Sequence, residues 1–214
     1  MANIKKICLI AMIVMTAVSF ANFLGFSIAG ISVIIGIAFF FINRNLEKNV
    51  SADTGLNAKA IGTSLKDKTI YFWIFLPLIL NVVCIVLAKL ILPEYIEHLY
   101  GRTEFVVSLD KIIFLVFQLA ILALGEEIAW RAFFQKQLNK ALPIIPTLIF
   151  TSIIFAFGHI VEGNIVVVAY DIFFIFINSV LYGVIFYKTN NAWISAISHF
   201  IANLFSIIVI SFLL

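Results

Sequence analysis

The chain has 214 residues, of which 64% are hydrophobic and 12% charged, and its mean hydropathy is +1.16. Soluble globular domains carry about 45–50% apolar and about 25% charged residues, so this composition excludes an ordinary soluble enzyme, a disordered chain and a secreted disulfide scaffold. It is also too apolar for an outer-membrane barrel, whose strands alternate apolar with polar; the net charge of +3 comes from basic residues flanking apolar runs, which assigns them to topology and not to nucleic acid.

The expectation is an all-α, polytopic helical membrane protein, one transmembrane domain over residues 1–214 with about seven spans. A spanning helix needs about 20 mainly apolar residues. Ile7 to Asn43 is uncharged throughout, room for two short spans with a turn near Asn22–Gly25, or for one long tilted helix. Lys5, Lys6 and the small-x-small string Ser19-Phe20-Ala21 resemble parts of a signal peptide, but a second apolar run starts at once, so the first run is read as a span. Further spans are expected over Ile70–Leu92, Ile112–Phe134, Pro146–Ile160, Ile165–Tyr187 and Ala192–Leu214. Gly163-Asn164 and Thr189-Asn190-Asn191 are turn signals between them.

Loop charge orients the spans. Lys5 and Lys6 precede the first, and the loop from Arg44 to Thr69 carries Arg44, Lys48, Lys59, Lys66 and Lys68. The loop from Pro93 to Asp110 is acidic, with Glu94, Glu97, Glu104 and Asp110 against Arg102. Alternation then puts the N-terminus and the basic loops in the cytoplasm and the C-terminus outside, in a cell membrane. Cys8 and Cys84 lie in apolar runs without CxxC spacing and read as small buried or lipid-facing residues. The 23 phenylalanines read as lipid-facing bulk.

Ionisable groups within spans are costly, face the bundle interior and mark functional sites. Here they are Glu126, Glu127, Arg131, His159, Asp171 and His199, with Asn178 and Asn203 as polar neutrals. At 1.5 Å per residue, Glu126, His159, His199 and Asn203 lie roughly 18, 24, 14 and 20 Å from the inner ends of their spans, so three helices bring polar groups to one level. Glu127 and Arg131 are i,i+4 and can pair on one face, whereas Glu126 points about 100° away. His199 and Asn203 are also i,i+4. The set offers a base, a proton carrier and donors for a developing oxyanion. Asp171 reads as structural, Asn178 as an interhelical hydrogen bond, and His98 as a solvated loop residue.

Three strings go further. Glu126-Glu127-Ile128-Ala129-Trp130-Arg131 reads EExxxR, Phe155 to His159 reads FxxxH, and His199 to Asn203 reads HxxxN. In this order, in three membrane spans, they resemble the CPBP family of intramembrane endopeptidases (CAAX proteases and bacteriocin-processing proteins, also called Abi), over roughly 112–214. The resemblance implies hydrolysis of a peptide bond in a membrane-associated protein or peptide within the bilayer. It makes Glu126 the group that activates water, His159 its partner in handling the proton, and His199 and Asn203 the oxyanion stabilisers. Glu127 and Arg131 then shape the site.

No cofactor is expected, zinc being the possible one. A metal, if used, would take Glu126, His159 and His199, the three protein ligands common at catalytic zinc. Two other functions compete. A non-catalytic bacteriocin-immunity binding protein would tolerate Glu126→Gln, and a proton-coupled transporter would spread polar groups through the full depth.

Overall fold

A computed structural model of the chain describes residues 4–23, 26–47, 54–103 and 112–213. Residues 48–53 of the long basic loop and 104–111 of the acidic loop, with Lys48, Glu104 and Asp110, lie outside the described residues.

The architecture is all-α. Each expected apolar run forms a helix: α1 (Lys6–Ser19), α2 (Ala29–Leu46), α4 (Thr69–Ile91), α6 (Ile112–Glu127), α8 (Ile144–Phe157), α9 (Ile165–Thr189) and α10 (Ala192–Leu213). Short helices α3 (Ile61–Ser64), α5 (Glu94–Thr103) and α7 (Lys136–Leu138) lie between them, and a two-residue antiparallel pairing, β1 (Asn22–Phe23) with β2 (Phe26–Ser27), joins α1 to α2. The first apolar run is therefore two helices, α1 and α2, and not one tilted helix; of the turn expected near Asn22–Gly25, residues 24–25 lie outside the described residues. Among the described residues, five helices are long and apolar enough to cross a membrane, the third running from Ile113 to Leu138, while α1 and α8 are 14 residues each. Fourteen residues rise only about 21 Å, less than a hydrocarbon core of about 30 Å. This is a multi-pass membrane protein whose helices present many large apolar side chains outward, among them Ile34, Phe72, Leu90, Ile113 and Ile165.

The core forms around a break in helical geometry. After Glu127 the chain continues as a π-helical segment, Ile128–Gln135, before α7. Every residue of that segment is buried, Arg131 included. It packs against Cys8, Met12 and Met15 of α1, Phe40 of α2, Phe155 of α8 and Phe186 of α9. The phenylalanines thus divide: Phe72, Phe114 and Phe117 face outward, whereas Phe133, Phe134, Phe155 and Phe186 build the core. Cys8 and Cys84 are buried and free.

The basic loops meet at one end of the bundle. Lys140 donates to Glu47 (2.8 Å), Lys136 to Asn190 (3.3 Å), and the Ala192 amide to the Gly55 carbonyl (2.8 Å). Partial burial pushes the Glu47 carboxyl up, but the hydrogen bond and charge of Lys140 outweigh it and hold the group below its ordinary range. Asn190, with φ of 45°, supplies the left-handed cap that ends α9 and turns the chain into α10. At the opposite end, α5 lies against α9.

Packing of α2 on the π-helical segment is closest at Gly36. A Cβ added there would stand 2.5 Å from the Ala129 Cβ and 2.8 Å from its Cα, a backbone atom. Gly36→Ala is therefore expected to destabilise the protein by about 1–3 kcal/mol, the usual cost of overpacking a close-packed core. Gly30→Ala, on the same helix, should be neutral, since nothing lies within 4 Å of its added Cβ. Thermal unfolding of the two variants in detergent, compared with the wild type, measures the difference.

Candidate active site

Glu126 and Glu127 sit at the end of α6, where the chain changes to π geometry, a feature that recurs at functional sites. The two carboxylates separate completely. Glu127 is fully buried and binds on both sides: its Oε2 lies 3.3 Å from Arg131 Nε, and its Oε1 lies 3.1 Å from His199 Nδ1. Arg131 also donates through Nη2 to Ser179 Oγ (3.0 Å), and its guanidinium carbon stands 5.3 Å from the centre of the Phe155 ring. A guanidinium over an aromatic face in a desolvated site adds cation–π attraction to the ion pair. Glu126 keeps 24% of its side chain accessible, with Oε2 3.7 Å from His199 Nε2.

His199 therefore lies between two carboxylates, one at each ring nitrogen. Glu127, paired with Arg131, faces Nδ1, and Nε2 is directed toward Glu126. The imidazole is stacked on Tyr182, ring centres 4.4 Å apart and planes 16° from parallel. His159 lies just beyond the end of α8, in the turn after Phe157, and not within the span as expected. Its Nδ1 is 2.8 Å from the Phe155 carbonyl, and its ring is 4.6 Å from the Phe155 ring. Phe155 thus touches Arg131 and both histidines.

Glu126, His159, His199 and Asn203 line one cavity of about 230 Å³, set between α4, α6, α8, α9 and α10. Glu127 and Arg131 are behind its wall. From this level the cavity runs along α9 past Asn178 to Asp171. Asn178 donates to Asn81 (2.7 Å), and Asn81 donates to the Ala202 carbonyl (3.1 Å) and to Ser206 (2.9 Å). The interhelical bond expected of Asn178 is present, with a partner that the sequence reading did not single out. At the far end Asp171 accepts from Tyr95 Oη (3.2 Å) and lies 3.4 Å from His98 Nε2. His98 is 10% exposed, so it is not a solvated loop residue: it fastens α5 onto α9.

Among the described residues, no three His, Cys, Asp or Glu side chains form a group able to hold a metal ion, Glu126, His159 and His199 included.

Sequence reading missed Tyr182 and Asn81. Tyr182 was traceable, because Asp171, Asn178 and Tyr182 recur along α9 at steps of seven and four, one helical face. Asn81 was visible as a lone amide deep in an apolar run. Phe155 was legible only as the first residue of the FxxxH string, one phenylalanine among 23.

Residues 108–205 match the family described as type II CAAX prenyl endopeptidase, Rce1-like. The match contains all three motif strings and bears out the resemblance to the CPBP and CAAX protease family over that part of the chain. No curated protein and no solved structure matches the chain.

Glu127→Ala and Arg131→Ala should each lower the amount of folded protein, because breaking a buried pair strands its partner at a cost of about 3–5 kcal/mol. A Glu127→Leu/Arg131→Met double variant should be more abundant than either single one. It should nevertheless lose any activity that depends on His199, whose Nδ1 has lost its acceptor. Detergent-extracted yield by size-exclusion chromatography reads the first effect, and turnover of the purified double variant reads the second.

Proposed function

We propose that this multi-pass membrane protein, its residues 108–205 matching a family of CAAX-type intramembrane endopeptidases, hydrolyses a peptide bond of a membrane-associated protein or peptide with water activated by Glu126. The observation that carries the reading is the split between the adjacent glutamates. One is fully buried and charge-matched; the other opens into a cavity with two imidazoles and an amide around it.

Each side chain then has a job that its surroundings suit. Glu126 accepts a proton from water as the oxygen attacks the scissile carbonyl. His159, with Nδ1–H given to the Phe155 carbonyl, keeps Nε2 as its basic nitrogen and passes the proton toward the leaving amine. His199 is fixed by Glu127 and Tyr182; as an imidazolium, with Nδ1–H on Glu127, it has Nε2–H free to donate, and with the amide of Asn203, one helical turn on, it stabilises the tetrahedral oxyanion. Arg131 and Glu127 hold His199 in place without reaching the cavity. The larger cavity has no lining residue from the segment 127–138, which disfavours a proton path running through to the basic end. No metal takes part in the proposed reaction.

Glu126→Gln should leave fold and yield unchanged and remove hydrolysis, a loss of at least about a hundredfold for a general base. Mass spectrometry of membrane peptides from cells carrying either form is the assay, and chelator treatment of the purified protein should leave activity unchanged. An abundant Glu126→Gln protein that still cleaves would exclude Glu126 as the base. Orientation follows from the basic end: N-terminus cytoplasmic, C-terminus outside. A reporter fused after Leu214 should be active only on the outer face; cytoplasmic activity would reverse the assignment.

A further inference from the structure

Four of the buried polar atoms that lack a hydrogen-bond partner among the described residues gather where α8, α9 and the π-helical segment meet. They are Arg131 Nη1, Gln135 Oε1, Thr151 Oγ1 and Ser152 Oγ, on residues each 2% exposed or less. Contacts on either side place them. Toward the basic end, Gln135 and Leu148 crowd Gly183 of α9: a Cβ added there would stand 2.8 Å from Gln135 Oε1 and 2.6 Å from a Leu148 methyl. Toward the cavity, Arg131 donates to Ser179 and its guanidinium stands over Phe155. Gln135 follows Arg131 by four residues and Gly183 follows Ser179 by four, while Thr151 and Ser152 fall between Leu148 and Phe155, three or four residues from each. Residues three and four apart share a helix face, so the two hydroxyls look into the same three-helix junction as Arg131 and Gln135.

A hydroxyl within a helix has an acceptor close by, the carbonyl four residues back. Thr16, Ser19, Thr147, Thr189, Ser206 and Ser211 all use it, at 2.8–3.1 Å. Thr151 and Ser152 do not; their hydroxyls are left to the junction. Gln135 is oriented in the same sense. A carbonyl can only accept, so Nε2 is the atom that donates to the Gly183 carbonyl (3.0 Å), and Oε1 keeps its lone pairs unused. Each such group carries an uncompensated desolvation cost in an apolar core. Protein interiors meet that cost with a buried water bonded to about two to four polar groups.

We propose that this junction is a binding site for one ordered water molecule, held as a fixed ligand of Arg131. The water accepts from Nη1–H and from one hydroxyl, and it donates to Gln135 Oε1 and to the other hydroxyl, which uses all of its hydrogen-bonding capacity. A halide ion is the other small occupant that a guanidinium and two hydroxyls would take. Gln135 Oε1 is an acceptor and repels an anion, and the charge of Arg131 is already matched by Glu127. The water gives the guanidinium a polar tie to α8, where Phe155 offers only its ring. With Nε on Glu127, Nη2 on Ser179 and Nη1 on the water, the plane of the guanidinium is fixed on three sides. The site is independent of the reaction assigned to Glu126 and stands or falls apart from it.

The test uses the full-length protein, crystallised from a lipid mesophase, soaked in sodium bromide and measured at the bromine absorption edge. The expected result is a density peak without anomalous signal, about 2.7–3.2 Å from Arg131 Nη1, from Gln135 Oε1 and from at least one of the two hydroxyls. A bromine signal at the junction gives it to a halide and overturns the proposal. So does a junction without density, with Thr151 and Ser152 turned back to their own helix. Thermal unfolding of Thr151→Val and Ser152→Ala in detergent reads the same bonds by the sign of the shift. Removing a hydroxyl that has no partner leaves the midpoint unchanged or raises it, because a desolvated group is gone. Removing one that holds the water lowers the midpoint, by about 2–4 °C for a chain of this size. A midpoint unchanged or raised in both variants overturns the proposal. Where a variant yields no folded protein, the diffraction result on the wild type decides.

Discussion

A fully buried arginine in the middle of an apolar bundle dictates the rest of the arrangement. Arg131 stays charged in a protein and has no water to solvate it, so its surroundings must supply an anion and hydrogen-bond acceptors. Glu127 supplies the charge, Ser179 an oxygen and Phe155 an aromatic face. Each comes from a different helix, α6, α9 and α8. Pairing one cation in this way ties three helices to the π-helical segment that carries it.

The same constraint sorts the two adjacent glutamates. Glu127 is consumed by Arg131 and by Nδ1 of His199, and it becomes a rigid part of the wall. Glu126, one residue earlier, is left with the cavity, facing Nε2 of the same imidazole. A single histidine reads both carboxylates through its two nitrogens. Because Tyr182 stacks on its ring and Glu127 fixes its outer nitrogen, the nitrogen that faces the cavity is held in direction. Preorganisation of this kind is what electrostatic stabilisation of a transition state requires.

Away from this centre the polar groups are unevenly distributed. Toward the end that carries α5, they continue along the cavity as Asn81, Asn178, Tyr95 and Asp171. Toward the basic end, Arg131 and Gln135 are sealed in the core, with Gln135 donating to the Gly183 carbonyl. The cavity is thus built from one side of the bundle, and the dense packing of α1, α2 and the π-helical segment closes the other.

The sequence by itself determined the class of fold, the division into apolar helices and the Glu127–Arg131 pair. These follow from composition, from hydrophobic run length and from the fixed rise and rotation of a helix, all of which are local. Only the tertiary structure decided that His199 stands between both glutamates, that His159 lies past the end of α8, that His98 closes on Asp171, and that Tyr182 and Phe155 hold the imidazoles. Those are contacts between residues as far apart as 72 and 73 positions, and they depend on how helices are rotated against one another. That rotation is set by the burial of Arg131 and by close approaches such as Gly36 on Ala129, which no periodicity within a single helix encodes.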